Sequence, residues 1–368
     1  MRIILCGGGT AGHINPAIAV AEEILDTEPA SEILFIGREG GRENELVTKA
    51  GIRLQTLPIK GLKRSLSPEN ISRIRDALLA RRRAEKIIKE FKPDVILGTG
   101  GYVCWPVISA GRQLGIPVAI HESNITPGLT TKLLARSCNA VFLSQEKTKE
   151  YLPRKAKTFV VGTPLRKEFT NLSRSECRRK LGLKEEDILL ISFGGSIGAD
   201  KINQAMIEVM KSYSVKDEHI THIHATGERY YKSLPDEDKN FDKSKCKIKA
   251  YIDNMPTLMK AADIAVCRSG AMTITELCAA GVAPILIPSP NVTGNHQYMN
   301  ARLLSDLGAA EIIGEKELTT KALTEAINRL KIDKNGRKNR AKAMQRLYEP
   351  KAAKNITKRL KLLINGII

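Results

Sequence analysis

Three glycine-rich turns and one histidine carry most of the chemistry legible in this chain. The first is Gly7-Gly8-Gly9-Thr10-Ala11-Gly12, followed at once by His13; the second is Gly98-Thr99-Gly100-Gly101-Tyr102, and the third Gly194-Gly195-Ser196-Ile197-Gly198. Each follows a short apolar run that reads as a strand. Such a turn lets the backbone approach an anion and aims the N–H groups of a helix start at it. One alone is weak, because tight turns between strand and helix need glycine for geometric reasons. Three in series favour phosphate or sugar binding.

Glycines 7, 9 and 12 also fit G-x-G-x-x-G, the dinucleotide fingerprint. That reading needs an acidic residue at the end of the second strand, ~20 residues on, to hold a ribose diol. The nearest candidate, Glu39, lies beyond a Gly-Arg break and fits poorly. Asn15-Pro16 reads as an N-cap with proline at the first helical position, which places the helix start there. His13 beside it is either a capping or surface histidine, or a general base. A helix N-terminus disfavours the imidazolium and so suits a base.

A second constellation is Cys267-Arg268-Ser269-Gly270-Ala271-Met272-Thr273-Ile274-Thr275-Glu276, a strand end running into a helix expected to open near Thr273. Glu276 in its first turns can take a ribose diol, with the preceding N–H groups on a diphosphate; the bland alternative is a glutamate favoured by the helix dipole. Other candidates read as ordinary structure. His219, His222 and His224 suggest a strand face rather than a metal site, and Asp236-Glu237-Asp238 a solvated loop. His121 and Glu122 close a strand, with a site role and local hydrogen bonding equally open. No metal ligand set and no cofactor are expected.

The elements that must place these residues alternate regularly. Strand-like runs fall at 2–6, 32–36, 53–57, 94–97, 117–120, 140–143 and 158–161, then at 187–192, 220–224, 247–250, 263–267, 283–287 and 310–313, with helical stretches between most of them. The pattern is α/β, with parallel sheets covered on both faces. At 368 residues the chain suits two domains. Each half opens with a strand and a glycine turn, which predicts two Rossmann-like domains facing across a cleft, where ligands of such sheets bind. The boundary falls in Val161–Phe169.

Bulk properties narrow the class further. No run approaches the ~18 apolar residues of a membrane span, and the opening segment is too short for a signal peptide. Seven scattered cysteines read as reduced thiols. The net charge of +19 is concentrated: residues 60–92 carry net +7 and residues 334–361 net +10. A nucleic-acid ligand is not expected, since a single Trp and few aromatics accompany the charge.

Taken together, "GGGTAGHINP", "GTGGYV", "GIPVAIHESN", "VGTPLR", "FGGSIGA", "YIDNM", "CRSGAMTITEL" and "GNHQYMNA" occur in an order and at spacings that resemble the MurG family of N-acetylglucosaminyltransferases. The resemblance spans nearly the whole chain. It implies the GT-B architecture, with residues 1–163 as an acceptor- and membrane-facing domain, 164–349 as a UDP-GlcNAc domain, and a last helix near 350–368 returning to the first. It implies inverting transfer of GlcNAc from UDP-GlcNAc to the C4 hydroxyl of MurNAc in undecaprenyl-diphospho-MurNAc-pentapeptide, a step of peptidoglycan synthesis. By the same resemblance His13 is the base, and Thr10, Ala11 and Gly12 line the donor side. Asn124 approaches the donor sugar, while Arg166 and Ser196 hold nucleotide and phosphates. Ile252 sits by the uracil, Ala271, Met272, Thr273, Ile274, Thr275 and Glu276 form the turn under the diphosphate and ribose, and Gln297 meets the GlcNAc hydroxyls. Tyr102 faces the acceptor. Ala11, Thr163 and Ile197 depart from the family's commoner Gly, Asn and Gln.

A lipid acceptor demands access to a bilayer. The segment after Pro68 reads as a helix with a core stripe (Ala77, Ala80, Ala84, Ile87, Ile88, Phe91) and a second stripe of Ile71, Ile74, Leu78 and Leu79 amid Arg73, Arg75 and Arg81–Arg83. Apolar residues ringed by arginine suit an anionic inner-leaflet surface, hence a peripheral location on the cytoplasmic side of the cell membrane, with cell-wall synthesis proteins among the partners. The alternative for this stripe is a second core contact. The alternatives for function are another membrane-associated UDP-sugar transferase making a glycolipid, or a non-catalytic UDP-sugar-binding adaptor.

Overall fold

The structure, a computed structural model, describes residues 1–61, 68–195, 198–212, 220–239, 242–243 and 245–368. The chain divides into two compact units, Met1–Lys167 with Glu349–Ile368, and Glu168–Tyr348.

Unit one runs β1 (Arg2–Cys6), α1 (Ala11–Thr27), β2 (Glu32–Arg38), α2 (Glu43–Lys49), β3 (Arg53–Leu57), α3 (Glu69–Phe91), β4 (Val95–Gly98), α4 (Cys104–Gln113), β5 (Val118–Glu122), α5 (Leu129–Leu134), β6 (Ala140–Leu143), a 3₁₀ turn (Glu146–Tyr151) and β7 (Thr158–Val160). Its seven strands are all parallel, in the order β3-β2-β1-β4-β5-β6-β7. Unit two runs α6 (Lys167–Thr170), which begins one residue before the boundary, α7 (Arg174–Lys180), β8 (Ile188–Phe193), α8 (Asp200–Ser212), β9 (Ile220–Ala225), α9 (Glu228–Ser233), α10 (Asp236–Lys239), β10 (Asp242–Lys243), β11 (Cys246–Lys249), α11 (Met255–Ala261), β12 (Ile264–Cys267), α12 (Ala271–Ala280), β13 (Ala283–Leu286), a 3₁₀ turn (Thr293–Asn295), α13 (His296–Asp306), β14 (Glu311–Ile312), α14 (Thr320–Ile332) and α15 (Lys334–Arg346). The order β10-β11-β9-β8-β12-β13-β14 shares its six parallel strands' arrangement with β3-β2-β1-β4-β5-β6 of unit one, and adds the antiparallel β10 at one edge where unit one adds β7 at the other. The last helix, α16 (Ala352–Ile364), belongs to unit one. Both units are therefore Rossmann-like α/β sheets.

Alternation along each strand divides the cores. In unit one Ile4 and Cys6 face α3, α4 and α5, whereas Ile3 and Leu5 face α1, α2 and α16. In unit two Leu189, Ile191 and Phe193 pack with α11, α12 and α13, while Ile188 and Leu190 pack with α8 and α14. Ala80, Ala84, Ile88 and Phe91 form the buried stripe of α3, and Ile71, Ile74, Leu78 and Leu79 stay exposed. On α16, Ile356, Leu360 and Leu363 recur at helical spacing and fill the face of the core beside α1.

The structure corrects several expectations. The helix α1 starts at Ala11, capped by Thr10 in extended conformation, so Pro16 lies inside it. Tertiary contacts override the proline: the Thr99 hydroxyl holds the His13 carbonyl at 2.6 Å, and only the Gly12 carbonyl loses its helical N–H partner. The helix α12 starts at Ala271 rather than near Thr273. Asp236–Lys239 is a helical turn, not a solvated loop; Asp238 is buried and pairs with Lys211 at 2.8 Å. His219 lies outside the described residues.

Since Leu360 is fully buried, Leu360→Ala should destabilise unit one by about 2–4 kcal/mol through lost transfer energy and a cavity. Urea unfolding followed by a probe in unit one checks this; a loss below about 1 kcal/mol would contradict the packing of α16.

Candidate functional site

In each sheet the strand order reverses beside the first strand, between β1 and β4 and between β8 and β12. Crevices at the carboxyl ends of such strand pairs bind ligands in open α/β sheets. The first two glycine turns follow β1 and β4; the third glycine turn and the Arg268–Gly270 turn follow β8 and β12. All four therefore flank a switch point.

In unit one the two turns pack backbone on backbone. The Gly8 N–H donates to the Gly100 carbonyl at 3.2 Å. A Cβ on Gly101 would come within 2.3 Å of the Gly8 carbonyl. The His13 ring lies against Gly100, where a Cβ would meet its Nδ1 at 2.4 Å, and Gly100 adopts φ +114°. Only glycine satisfies both conditions. The Tyr102 ring lies against Gly61 and beside Gly9. Thr10, Ala11, Gly12, His13 and Tyr102 are thus brought to one place, Thr10 exposed and the next three residues half-buried.

Two carboxylates organise this half-site; Glu43 escaped assignment from sequence, while for Glu122 the sequence leaves a site role and local hydrogen bonding equally open. Glu43, the first residue of α2, is fully buried; its Oε1 accepts from the Gly9 N–H at 3.1 Å and the Arg38 N–H at 3.2 Å. Its Oε2 is buried without a hydrogen-bond partner. The glycines at 37 and 41 that clear its path were the available signal: a Cβ on either would collide with it. Glu122 is the second. Its Oε1 takes the backbone and side-chain N–H groups of Asn124 at 3.0 Å each, and its Oε2 takes the Gly128 N–H at 3.0 Å and the Thr131 hydroxyl at 2.7 Å. It therefore orients Asn124 and anchors the entry to α5. His121 is buried with Nε2 on the Gly162 carbonyl at 2.9 Å, and burial lowers its pKa. Arg166 also lies in unit one, its Nε donating to Glu22 of α1 at 3.2 Å.

In unit two Ser196 lies outside the described residues. The turn after β12 is tightly braced. Arg268 donates to the Ile287 and Pro288 carbonyls at 3.2 and 3.3 Å and pairs with Glu315. The buried Ser269 hydroxyl donates to the Gln297 carbonyl at 2.9 Å, and Gln297 Oε1 accepts from the Ser289 N–H at 2.9 Å. The helix α12 then opens on Gly270, with no side-chain cap and no acid in its first turn. The N–H groups of Ala271, Met272 and Thr273 have no partner within the helix and concentrate positive potential there. Met272 is buried, Ile274 partly so, and the Thr275 hydroxyl bonds back to the Ala271 carbonyl at 2.9 Å. Glu276 is partly buried on the second turn; desolvation first, and Glu168 second, push its carboxyl up to about 8. Ile252, at the carboxyl end of β11, is buried in the same core face.

Among the described residues no group of three His, Cys, Asp or Glu side chains could hold a metal ion. His222 Nε2 and His224 Nδ1 both lie 2.7 Å from the Ser192 hydroxyl in the core, and burial pushes His224 down to about 4.

Comparison with known proteins bears on which ligands such turns take. The glycosyltransferase family 28 N-terminal domain matches residues 3–143 and the family 28 C-terminal domain residues 189–359. The chain belongs to glycosyltransferase family 28. This family-28 chain is 43% identical over 334 residues, 90% of itself and 91% of the relative, to a protein of Thermoanaerobacter sp. (strain X514). That relative is named UDP-N-acetylglucosamine–N-acetylmuramyl-(pentapeptide) pyrophosphoryl-undecaprenol N-acetylglucosamine transferase. An Acetivibrio thermocellus protein of the same name is 40% identical over 358 residues, covering 95% of this chain and 97% of that one. Acinetobacter baumannii MurG superposes with a TM-score of 0.76 at 26% identity, over 98% of this chain and 99% of that one. A UDP-GlcNAc 2-epimerase from Neisseria meningitidis reaches 0.68 at 15% identity, over 98% and 100%, which shows a shared fold alone.

The raised Glu276 carboxyl has a measurable sign. The unfolded family-28 chain ionises this group near 4.5 and the folded one near 8. Between those values folding must keep it protonated, so its penalty grows as pH rises and levels off above 8. Glu276→Gln should therefore gain stability relative to the parent as pH rises from 4 to 8, by roughly 2–3 kcal/mol after allowance for its partial exposure. A stability difference independent of pH would refute the assignment.

Proposed function

We propose that this glycosyltransferase moves GlcNAc from UDP-GlcNAc to the C4 hydroxyl of MurNAc in undecaprenyl-diphospho-MurNAc-pentapeptide, with inversion at the anomeric carbon. The supporting observation is 40–43% identity, over nine-tenths or more of the chain, to relatives named for that transfer. In this reading unit one takes the acceptor and unit two the donor. His13 removes the proton from the attacking hydroxyl as the new C4–O–C1 bond forms and the bond from C1 to the diphosphate breaks. The first-turn N–H groups of α12, with Ser196 and Arg166, take up the charge developing on departing UDP, as preorganised donors do in other transfer reactions. Glu276, its carboxyl pushed up by burial, meets the ribose diol. Ile252 lies by the uracil, and Asn124, Gln297 and the Thr10–Gly12 turn meet the sugar, with Tyr102 on the acceptor side.

The acceptor's lipid places the enzyme at an anionic inner leaflet, as a peripheral protein. No helix among the described residues is long and apolar enough to cross a membrane. On α3, Ile71, Ile74, Leu78 and Leu79 are 48–75% exposed. Arg75, Arg82 and Arg83 beside them are also exposed, whereas Arg73 is held by the Gly61 carbonyl and Glu69. Apolar residues among free arginines fit a bilayer interface.

Two measurements test this. With UDP-GlcNAc and a short-chain lipid-linked MurNAc-peptide, the parent should release UDP and His13→Ala should lose about 10²–10⁴-fold in kcat, the span of general-base effects; no release from the parent sinks the reading. Reversal of Arg75, Arg82 and Arg83 to Glu should weaken binding to phosphatidylglycerol vesicles at least tenfold, at about 1 kcal/mol per cation. Unchanged sedimentation with vesicles would remove α3 as the docking surface.

A further inference from the structure

We propose that Glu43 is a positioning residue for the transfer: its buried side chain fixes the first glycine turn and, through it, the His13 imidazole. This rests on the reaction proposed above. The turn is gripped from two sides. Gly8 is bonded to the Gly100 carbonyl, and its neighbour Gly9, at φ +88°, is bonded to Glu43 Oε1. Thr10, the N-cap of α1, follows directly, and His13 stands in the first turn of that helix. A shift at Gly9 is passed along this short rigid path to the ring resting on Gly100.

Several features set Glu43 apart from a carboxylate that merely stabilises. No Lys, Arg or His among the described residues forms an ion pair with it. One oxygen does all the bonding, to N–H groups of the first glycine turn and of the end of β2, while the other has no partner. The glycines at 8, 37 and 41 are each too close to Glu43 for any side chain, so three positions make way for one acid. The Gly9 N–H that a dinucleotide phosphate would use is already occupied by Glu43. What the site requires of Glu43 is reach and one acceptor oxygen.

This separates two conservative variants. Glu43→Gln keeps the length and the acceptor oxygen and replaces the carboxyl by an amide. Glu43→Asp keeps the carboxyl and falls one methylene short of Gly9. Steady-state kinetics and melting temperature would be measured for both, together with the His13 ring signals in ¹H–¹⁵N spectra, identified by their loss in His13→Gln. The Gln enzyme should keep kcat within threefold. The Asp enzyme should lose kcat 30-fold or more, with any rise in its KM for UDP-GlcNAc smaller than that loss because only the Thr10–Gly12 part of the donor contacts is disturbed, and only in Asp should the His13 signals move. The proposal is overturned if Asp keeps kcat within threefold, if Gln loses as much as Asp, or if the His13 signals stay fixed in Asp. If Asp is recovered unfolded, Gln decides alone: retained kcat supports the proposal and a tenfold loss overturns it. A parent that releases no UDP refutes the function proposed above, while the His13 signals still test Glu43.

Discussion

The first half-site depends on one contact: two loops from neighbouring strands meet main chain to main chain, through the Gly8 N–H and the Gly100 carbonyl. Loops with side chains cannot come that close. The approach sets the composition of both turns, because any Cβ on Gly101 or Gly100 would strike the opposite turn or the histidine ring. It also sets the start of α1, since the extended Thr10 must leave the contact and enter the helix within one residue. His13 inherits its place from that geometry, with the Thr99 hydroxyl fastening its carbonyl from the other turn.

Buried ionisable groups are handled in three ways, according to how many donors reach them. Glu122 receives four hydrogen bonds and needs nothing more. Glu43 receives two, both on one oxygen. For Glu276, burial and the nearby Glu168 drive its pKa up to about 8. His222 and His224 follow the same logic with the opposite charge, remaining neutral around the Ser192 hydroxyl. For Glu276 and the two histidines, burial favours the neutral form.

The strands were legible because parallel strands buried on both faces read as short β-branched runs, and every run assigned from sequence became a strand. Only the two-residue β10 was missed, too short to leave a pattern. Helix starts were less legible. The Asn15-Pro16 pair carries a strong local signal, yet contacts with a loop some 85 residues away outweigh it. The same cause hid Glu43. Glu39 was tested because spacing pointed there, whereas Glu43 acts through a fold-dependent approach to Gly9. Asp238 looked solvated in a polar stretch and is instead enclosed beside Lys211. Local rules recover elements; groups joined across sequence distance emerge only from topology.

The return of α16 to unit one also orders how the molecule is made. Its Ile356, Leu360 and Leu363 complete the core over β1 and α1, but they are encoded after all of unit two. At ribosomal rates of about 5–20 residues per second, those intervening roughly 180 residues take ~10–35 s to emerge. Unit two can close while the nascent first unit still shows an open apolar face, so the unit that begins first finishes last. During that interval the uncovered side of α1 is the surface that a chaperone, or an aggregating neighbour, meets first.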